Sequence, residues 1–302
     1  MERRPSFRVP APRLAGFGKI ALAGVLWGTA PIAFEIVRDE TAASAYAVSA
    51  ARMTIAAVAL LAVMAVTRGR APALGLLRVR PWMVVGMGVG VAVYQTTWFA
   101  AMTYVGVSVA TVVCLGAAPL LVIVWEAVRD PRGVTLASML TLLIGVLGLV
   151  LVCVPGAEVS TETSWIGMAL ASVSAVTFAT CMVVGRSLAL AGEPRALTTV
   201  TTVVSALTLL PFLFVSGTER ISPGAALALT YLGVVTLAVG YLLLYSGLQT
   251  VRTSSATLAA LLEPATATVL AVWLLGEVLT GPEVAGVALI LVALVVAGSR
   301  DE

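Results

Sequence analysis

The chain has 302 residues, of which 60% are apolar and 11% are charged, and its mean hydropathy is +1.06. Roughly a quarter of the residues in a soluble domain are charged, so this composition excludes a soluble protein and indicates an integral membrane protein. The sequence has no histidine, which excludes imidazole metal sites and histidine-based catalytic triads. Its only lysine, Lys19, precedes Ile20, so a phosphate-binding GxxxxGK(S/T) loop is absent. No basic domain is present that could bind nucleic acid.

Ten apolar segments follow one another along the chain. A hydrocarbon core of about 30 Å requires about 20 residues of α-helix, and each segment is long enough to cross it. We expect the first to be retained, because it exceeds the apolar region of a signal peptide and Pro31 follows the one candidate cleavage site. The predicted spans one to ten cover residues 18–37, 43–66, 82–103, 105–128, 134–154, 164–185, 196–215, 224–248, 253–275 and 282–298.

The basic residues outside the spans lie almost entirely on one side of the predicted topology. The other side has only Arg38 and Arg220, and its loops are acidic. Because cytoplasmic loops carry the excess of arginine and lysine, both termini are predicted to lie in the cytoplasm, with the chain in the cell membrane. The basic residues on the predicted cytoplasmic side are Arg3, Arg4, Arg8, Arg13, Lys19, Arg68, Arg70, Arg78, Arg80, Arg129, Arg132, Arg186, Arg195, Arg252 and Arg300.

The two halves of the chain resemble each other. YVGVSVATVV at 104–113 aligns with TVRTSSATLA at 250–259 with an offset of 146 residues, and Pro119 and Pro264 follow within one residue of that register. Because each half has five spans, the second half must insert with the opposite orientation. Inverted repeats of this kind are typical of secondary transporters, which bind substrate near the midplane between the repeats.

This repeat divides the chain into four parts. The two five-helix repeats are predicted at 18–154 and 164–298. A cytoplasmic tail at 1–17 precedes them, and a short cytoplasmic C-terminus at 299–302 follows. The predicted fold class is therefore an all-α integral membrane protein, with ten transmembrane helices arranged as two inverted repeats.

Several short motifs resemble those of the EamA-type transporters in the drug/metabolite transporter superfamily. They are Trp27-Gly28-Thr29 in span one, Arg52 in span two, and Glu263-Pro264 followed by Leu275-Gly276-Glu277 in the second repeat. The chain departs from the family pattern in the first repeat, where Arg132 stands roughly at the position of the usual glutamate. The resemblance covers the whole chain. It implies a central cavity between the halves and the transport of small metabolites, amino acids, drugs or sugar-linked substrates.

Arg52 and Glu263 are charged residues about ten positions into spans two and nine. A charge near the bilayer centre costs at least about 2.5–3.5 kcal/mol, so it normally faces the bundle interior or water. We expect Arg52 to be an anchor that binds neighbouring helices, or else a site residue. Glu263 is either a structural partner or a group that binds substrate or a proton. The sequence does not place the two in contact.

Pro119 and Pro264 interrupt the interiors of spans four and nine. Each proline removes one backbone hydrogen bond and kinks its helix. The interruption is either a static bend or a hinge beside the cavity, and the pairing across the repeat favours the hinge.

Aromatic and amide side chains cluster at depth on spans one, three and eight. Tyr241, Tyr245 and Gln249 are spaced by four residues and so share one helix face, and Gln95 and Tyr241 share the repeat offset. They are either packing bulk or the wall of a mostly apolar cavity with a few polar groups, which suits an amphipathic molecule. The predicted cavity residues are Trp27, Tyr94, Gln95, Trp98, Phe99, Tyr241, Tyr245 and Gln249.

The sequence thus predicts a secondary transporter that works by alternating access and exports a small amphipathic molecule. A channel or facilitator is the alternative. A membrane-embedded lipid-modifying enzyme is a third interpretation, although the acidic clusters such enzymes use for metal-bound pyrophosphate are absent from the sequence. We expect no catalytic residue, cofactor or metal. The expected partners are a small-molecule substrate, the bilayer and, as a coupling ion, the proton.

Overall fold

The computed structural model describes residues 13–41, 43–67, 70–130, 134–153, 164–214, 221–275 and 279–300. These residues are almost entirely helical, and no strand occurs among them. The α-helices are α1 Arg13–Gly28, α2 Ala30–Glu40, α3 Ala45–Val66, α4 Arg70–Val79, α5 Pro81–Thr111, α6 Ala117–Arg129, α7 Leu136–Cys153, α8 Ser164–Ala191, α9 Pro194–Leu209, α10 Pro223–Tyr231, α11 Gly240–Leu248, α12 Thr253–Ala259, α13 Leu262–Leu275 and α14 Gly281–Arg300.

Nine helical segments of the described residues are long and apolar enough to cross a membrane. One of them, Pro81–Arg129, has 49 residues. At 1.5 Å per residue this is more than twice the thickness of a bilayer core. Gly106 divides it, with φ 79° and ψ 161°, a backbone conformation that side chains other than glycine rarely adopt.

The chain reverses direction at Gly106, so this long segment contains two spans. At its beginning Arg80 donates a hydrogen bond to Ser187 of α8 (3.2 Å), and near its end Glu126 accepts one from Ser254 of α12. Ser187 and Ser254 lie at the same end of the bundle, where α8 also bonds the chain just before α12. Spans three and four are therefore separate crossings, and the prediction of ten transmembrane helices is confirmed.

The packing of the helices follows the internal repeat. Span three (α5) packs on span six (α8), and its counterpart span eight (α11) packs on span one (α1). Span two (α3) packs on its own counterpart, span seven (α9), and span five (α7) on span ten (α14). When a two-fold axis relates two halves, every contact between two spans recurs between their counterparts in the other half, and these contacts follow that rule. The all-helical fold with two inverted five-helix repeats is thus as predicted.

Several spans are interrupted rather than forming one regular α-helix each. Span one breaks at Thr29 between α1 and α2. Span eight contains the π-helical segment Leu232–Val239 between α10 and α11, and span four contains another at Val112–Gly116, before α6. The short helix α4, between spans two and three, is also absent from the sequence prediction.

Some predictions fall on residues that the structure does not describe. They concern most of the N-terminal tail (1–12), Arg132, Glu277, the loop at 154–163 and the last two residues, 301–302. They stay predictions.

Candidate functional site

A central cavity of about 380 Å³ lies between the two halves. In the first repeat its wall comes from α1, α2, α3, α5, α7 and the π-helical turn Val112–Gly116. In the second repeat it comes from α8, α11, α13 and the π-helical segment of span eight. The lining reaches the exposed side chain of Arg38, the Gly106 turn at Val107, and Cys153 at the end of α7. We call this end of the bundle the open end. It corresponds to the predicted extracytoplasmic face.

Arg52 lies on α3 and reaches the cavity wall while remaining 7% exposed. Its Nη2 donates a hydrogen bond to Gln95 Oε1 (2.8 Å), and its guanidinium lies 5.1 Å from the centre of the Phe99 ring. Among the described residues, its Nε has no hydrogen-bond partner. Arg52 is thus hydrogen-bonded to span three, while its other N–H groups have no hydrogen-bond partner in the part of the chain that the structure describes. Its role as an anchor or a site residue stays a prediction.

Gln95 and Tyr241 contact each other across the two halves. Gln95 Nε2 donates to the Tyr241 hydroxyl (3.1 Å), which also shares a hydrogen bond with the Tyr94 hydroxyl. Because Gln95 and Tyr241 occupy equivalent positions in the repeats, their contact lies close to the two-fold axis that relates them. Such an axis lies in the membrane plane for inverted repeats, so this network marks the middle of the bilayer.

Trp27 extends the network toward span eight. Its Nε1 donates to the Thr236 carbonyl oxygen (2.8 Å) in the π-helical segment of that span. Its ring meets the Tyr241 ring edge to face, with centroids 5.8 Å apart. The irregular backbone of span eight therefore has a side-chain partner, as buried backbone at membrane depth requires.

Glu263 and Pro264 line the cavity at the start of α13. The helix is broken just before them, at Ala260 and Leu261, where tight turn hydrogen bonds replace the regular pattern. Glu263 is half-buried, and among the described residues its carboxylate has no hydrogen bond and no ion pair within 4 Å. Its charge and that of Arg52 act on each other across the cavity.

Pro119 is buried in the first turn of α6 and does not line the cavity. The π-helical turn Val112–Gly116 immediately precedes it, whereas Pro264 follows a tightened turn. Both proline-bearing spans are therefore irregular just before the proline. The hinge role of either proline stays a prediction.

The structure brings together six of the eight predicted cavity residues. Tyr245 and Gln249 differ from the prediction, since neither reaches the cavity. Tyr245 is 2% exposed and stacks behind Tyr241, with ring centroids 5.8 Å apart. Gln249 lies at the other end of the bundle, where its amide donates to the Ala189 carbonyl oxygen (2.9 Å). The residues that do line the cavity are Trp27, Tyr94, Gln95, Trp98, Phe99 and Tyr241.

Two aromatic side chains that the sequence does not single out also line the cavity. Phe34 of α2 stacks on Phe99 (5.7 Å between centroids), and Phe178 of α8 packs on Tyr94 (5.1 Å). Neither shares the 146-residue repeat offset with another aromatic residue, which would distinguish it from a lipid-facing ring. In the ranges that the structure describes, no group of three or more Cys, Asp or Glu side chains is arranged to hold a metal ion.

The end of the bundle opposite the open end, which we call the closed end, is sealed by direct contacts. Glu126 of α6 accepts hydrogen bonds from the Ser254 hydroxyl (2.6 Å) and backbone N–H (3.2 Å) at the start of α12. Arg186 Nε donates to the Val251 carbonyl oxygen (2.9 Å). Gly247 of α11 approaches α1 so closely that a Cβ there would lie 2.5 Å from the Gly16 carbonyl oxygen.

The fold and its cavity define a multi-pass helical membrane protein whose two inverted halves enclose a chamber open at one end. The sequence matches the EamA-like transporter family over residues 14–154 and again over 165–299. The chain belongs to this family.

Individual relatives agree with this assignment. An uncharacterized transporter, YwfM, of Bacillus subtilis (strain 168) is 26% identical over 284 residues, which cover 92% of this chain and 91% of that protein. An uncharacterized transporter of Archaeoglobus fulgidus is 28% identical over 234 residues, covering 74% and 82%. A solved crystal structure shares the fold, with a TM-score of 0.76 and 21% identity over 92% of this chain and 94% of that one. The protein is a membrane transporter.

Proposed function

We propose that the protein is a secondary carrier that exports a small amphipathic metabolite, amino acid or drug across the cytoplasmic membrane by alternating access. The observation that carries this proposal is the one-sided cavity, which reaches mid-depth from the open end and stops above the sealed closed end. Rocking of two inverted halves about a fixed midplane site exchanges which end is open. Export is the direction implied by the resemblance to EamA-type carriers.

The lining supports an amphipathic substrate. Aliphatic and aromatic side chains supply most of the wall. Polar side chains line it at mid-depth (Arg52, Gln95 and Glu263), and Glu35 and Arg38 line it toward the open end. A mostly apolar pocket with a few fixed polar groups binds a molecule that has an apolar body and a polar end.

Glu263 is the proposed proton carrier. Its carboxylate has no hydrogen-bond partner among the described residues, and it sits beside a break in span nine, where a rocking motion would change its exposure. The titratable groups near enough to interact electrostatically with it are Arg52, Tyr94 and Cys114. Proton binding on one side and release on the other would couple substrate movement to the proton gradient.

Transport assays in reconstituted vesicles test both the carrier mechanism and its coupling to protons. Compounds that raise the Tm of the purified protein, from a screen of amino acids, nucleosides and drugs, are assayed for uptake into reconstituted vesicles with and without a proton gradient. We expect saturable uptake with counterflow, because a carrier exchanges substrate across one site. Uptake that neither saturates nor shows counterflow would identify a channel.

Glu263→Gln tests the coupling, because it keeps the shape of the side chain and removes its charge. We expect the variant to fold, to lose accumulation driven by protons, and to retain exchange of substrate. Glu193→Gln is the matched control, since Glu193 is exposed and its side chain caps no backbone group. An unchanged pH dependence in Glu263→Gln would make the protein a facilitator without proton coupling.

A further inference from the structure

We propose that α4 and the first turn of α5 form a binding surface for the headgroups of anionic phospholipids in the predicted cytoplasmic leaflet. The surface, which we call the basic patch, consists of Leu74, Arg78, Val79, Arg80 and Trp82. It lies at the closed end of the bundle and contains none of the residues that line the cavity. The inference is therefore independent of the proposed function.

The first observation is the charge of the connection between spans two and three. Residues 68–80 contain four arginines and no acidic residue, whereas the equivalent residues of the second repeat, 214–226, contain one arginine and one glutamate. The net charges of these two segments are thus +4 and 0. The other connections at the closed end are also less basic, since 129–135 and 186–195 each contain two arginines and one acidic residue. The repeat and the topology therefore do not by themselves account for the concentration of charge in 68–80.

The second observation is the way α4 is fixed at the closed end. Its Ala73 and Leu76 side chains are buried, and α4 packs on α9 and on α5. Leu76 lies against the turn between α8 and α9, where a Cβ on Gly192 would be 3.1 Å from Leu76 Cδ1. Leu74 and Arg78 are spaced by four residues and share the outward face, and both are exposed. The packing thus holds a guanidinium group and an apolar side chain on the outside of the bundle.

The third observation is the apolar surface beside the arginines. Val79 is 76% exposed and Trp82, in the first turn of α5, is 86% exposed. Tryptophan is enriched at the level of the lipid headgroups, and arginine can lay its aliphatic stem on apolar surface while its charged end reaches the headgroups. A soluble anion would pair with the arginines but would leave Val79 and Trp82 in water. A bilayer with anionic headgroups covers both kinds of side chain.

The fourth observation is that the protein supplies no anion to these arginines. Among the described residues, Arg78 has no hydrogen bond or ion pair, and Glu193, in the turn beside α4, forms no ion pair with Arg78 or Arg80. Arg80 Nη1 contacts only neutral groups, the Ser187 hydroxyl (3.2 Å) and the Met83 sulfur (3.9 Å). Guanidinium groups bind phosphate oxygens strongly, and anionic lipids attract basic segments next to membrane spans. The missing partner thus has the chemistry of a lipid phosphate.

Quenching of Trp82 fluorescence by brominated lipids tests the inference. The purified full-length protein is reconstituted in vesicles of phosphatidylcholine and phosphatidylglycerol at one fixed ratio. Bromine is carried either by the phosphatidylglycerol or by an equal amount of the phosphatidylcholine, and the signal of Trp82 is the difference between the parent and Trp82→Phe. We expect stronger quenching by the brominated phosphatidylglycerol, because this lipid should be enriched at the basic patch. Equal quenching by the two lipids would overturn the inference.

Arg78→Gln tests whether the patch itself selects the lipid. The side chain is exposed, so the variant should fold, and removing one interfacial arginine should weaken the preference for phosphatidylglycerol about fivefold. Lys19→Gln is the matched control, since Lys19 is exposed at the same end on α1, which packs on α11 and α13. An equal loss of preference in the two variants would assign lipid selection to the general charge of this face and would contradict the patch.

A second copy of the chain is the other occupant that the test can reveal. If another copy covered the patch, Trp82 would be quenched weakly by both lipids, and Val79→Cys, in a protein without its native cysteines, would form a disulfide between copies. That result would overturn lipid binding at the patch. Transport in reconstituted vesicles is measured separately, so loss of the lipid preference would leave the proposed carrier intact, and absence of transport would leave the lipid surface intact.

Discussion

At each end of the bundle, a glutamate carboxylate accepts hydrogen bonds at the start of a helix, but the two glutamates join different pairs of spans. At the closed end, Glu126 accepts hydrogen bonds from the hydroxyl and backbone N–H of Ser254. At the open end, Glu40 accepts them from the Ser222 hydroxyl and the Ala225 N–H (2.8 Å), at the start of α10. Both pairs place a carboxylate at the start of a helix, where its free N–H groups favour negative charge.

The spans that each carboxylate joins account for the different accessibility. Glu126 joins spans four and nine, the spans that carry Pro119 and Pro264, and so seals the cavity at the closed end. Glu40 joins spans one and eight and leaves spans four and nine apart at the open end. For the alternating-access carrier proposed above, this difference predicts that the contact between spans four and nine decides which end of the cavity is open, whereas spans one and eight stay joined.

The largest effect is expected from Gly247→Ala at the closed end. The added methyl would meet the Gly16 carbonyl oxygen and the side chain of Ile20. Overpacking of a close contact costs about 1–3 kcal/mol, so we expect a lower Tm in detergent and lower expression. Gly86→Ala is the control, because a Cβ at Gly86 meets nothing within 4 Å. Equal Tm values for the two variants would show that α1 and α11 separate without strain.

A smaller effect is expected from Glu126→Gln, which weakens the charged contact to Ser254 by about 1–2 kcal/mol. The closed end should then open more often. The measurement is thiol labelling of Val251→Cys, in a protein without its native cysteines, from the predicted cytoplasmic face of inverted vesicles. Val251 is fully buried, so we expect slow labelling in the parent and faster labelling with Glu126→Gln.

The matched control is Glu40→Gln, which changes the same residue type in the same kind of contact at the other end. It should leave labelling of Val251→Cys slow. If both variants accelerated labelling equally, the sealing role would not belong to the contact between spans four and nine.

The smallest effect is a difference in labelling rate between native cysteines. Cys153 is half-buried and lines the cavity near its open end, whereas Cys181 is buried and does not line it. A membrane-impermeant maleimide added to intact cells should therefore modify Cys153 several-fold faster, as judged by mass spectrometry. Modification only after access to the cytoplasmic face would reverse the predicted orientation.

The hydropathy pattern predicts the ten crossings, because each span must supply about 20 apolar residues. The repeat is predicted from the similarity of residues 104–113 and 250–259. Helix periodicity also places Tyr241, Tyr245 and Gln249 on one face, but it carries no information about depth. Gln249 is eight residues beyond Tyr241, which at 1.5 Å per residue is about 12 Å along the helix. Gln249 therefore lies at the closed end and not in the midplane network, and its amide donates to backbone carbonyl oxygens there.

The form of the helix interruptions could not be predicted from the sequence for a different reason. Pro264 and Pro119 show where a hydrogen bond is lost, but whether the preceding turn widens or tightens depends on the neighbouring helices. Arg52 Nε and Trp98 Nε1 have no hydrogen-bond partner among the described residues, and this too is a property of the packed bundle. A sequence shows that a charge is present at depth, but not which partners it lacks.

The contact between Gln95 and Tyr241 bears on how the two halves came to differ. At a two-fold axis, a position faces its own counterpart, so two identical copies of one five-helix unit would have to place the same side chain on both sides. In this chain an amide faces a phenol, and the amide N–H donates to the phenol oxygen. This unlike pair requires the two halves to be encoded separately, so each half has lost the ability to pair with a copy of itself through the same bond. The centre of the molecule is therefore a contact between two unlike halves of one chain.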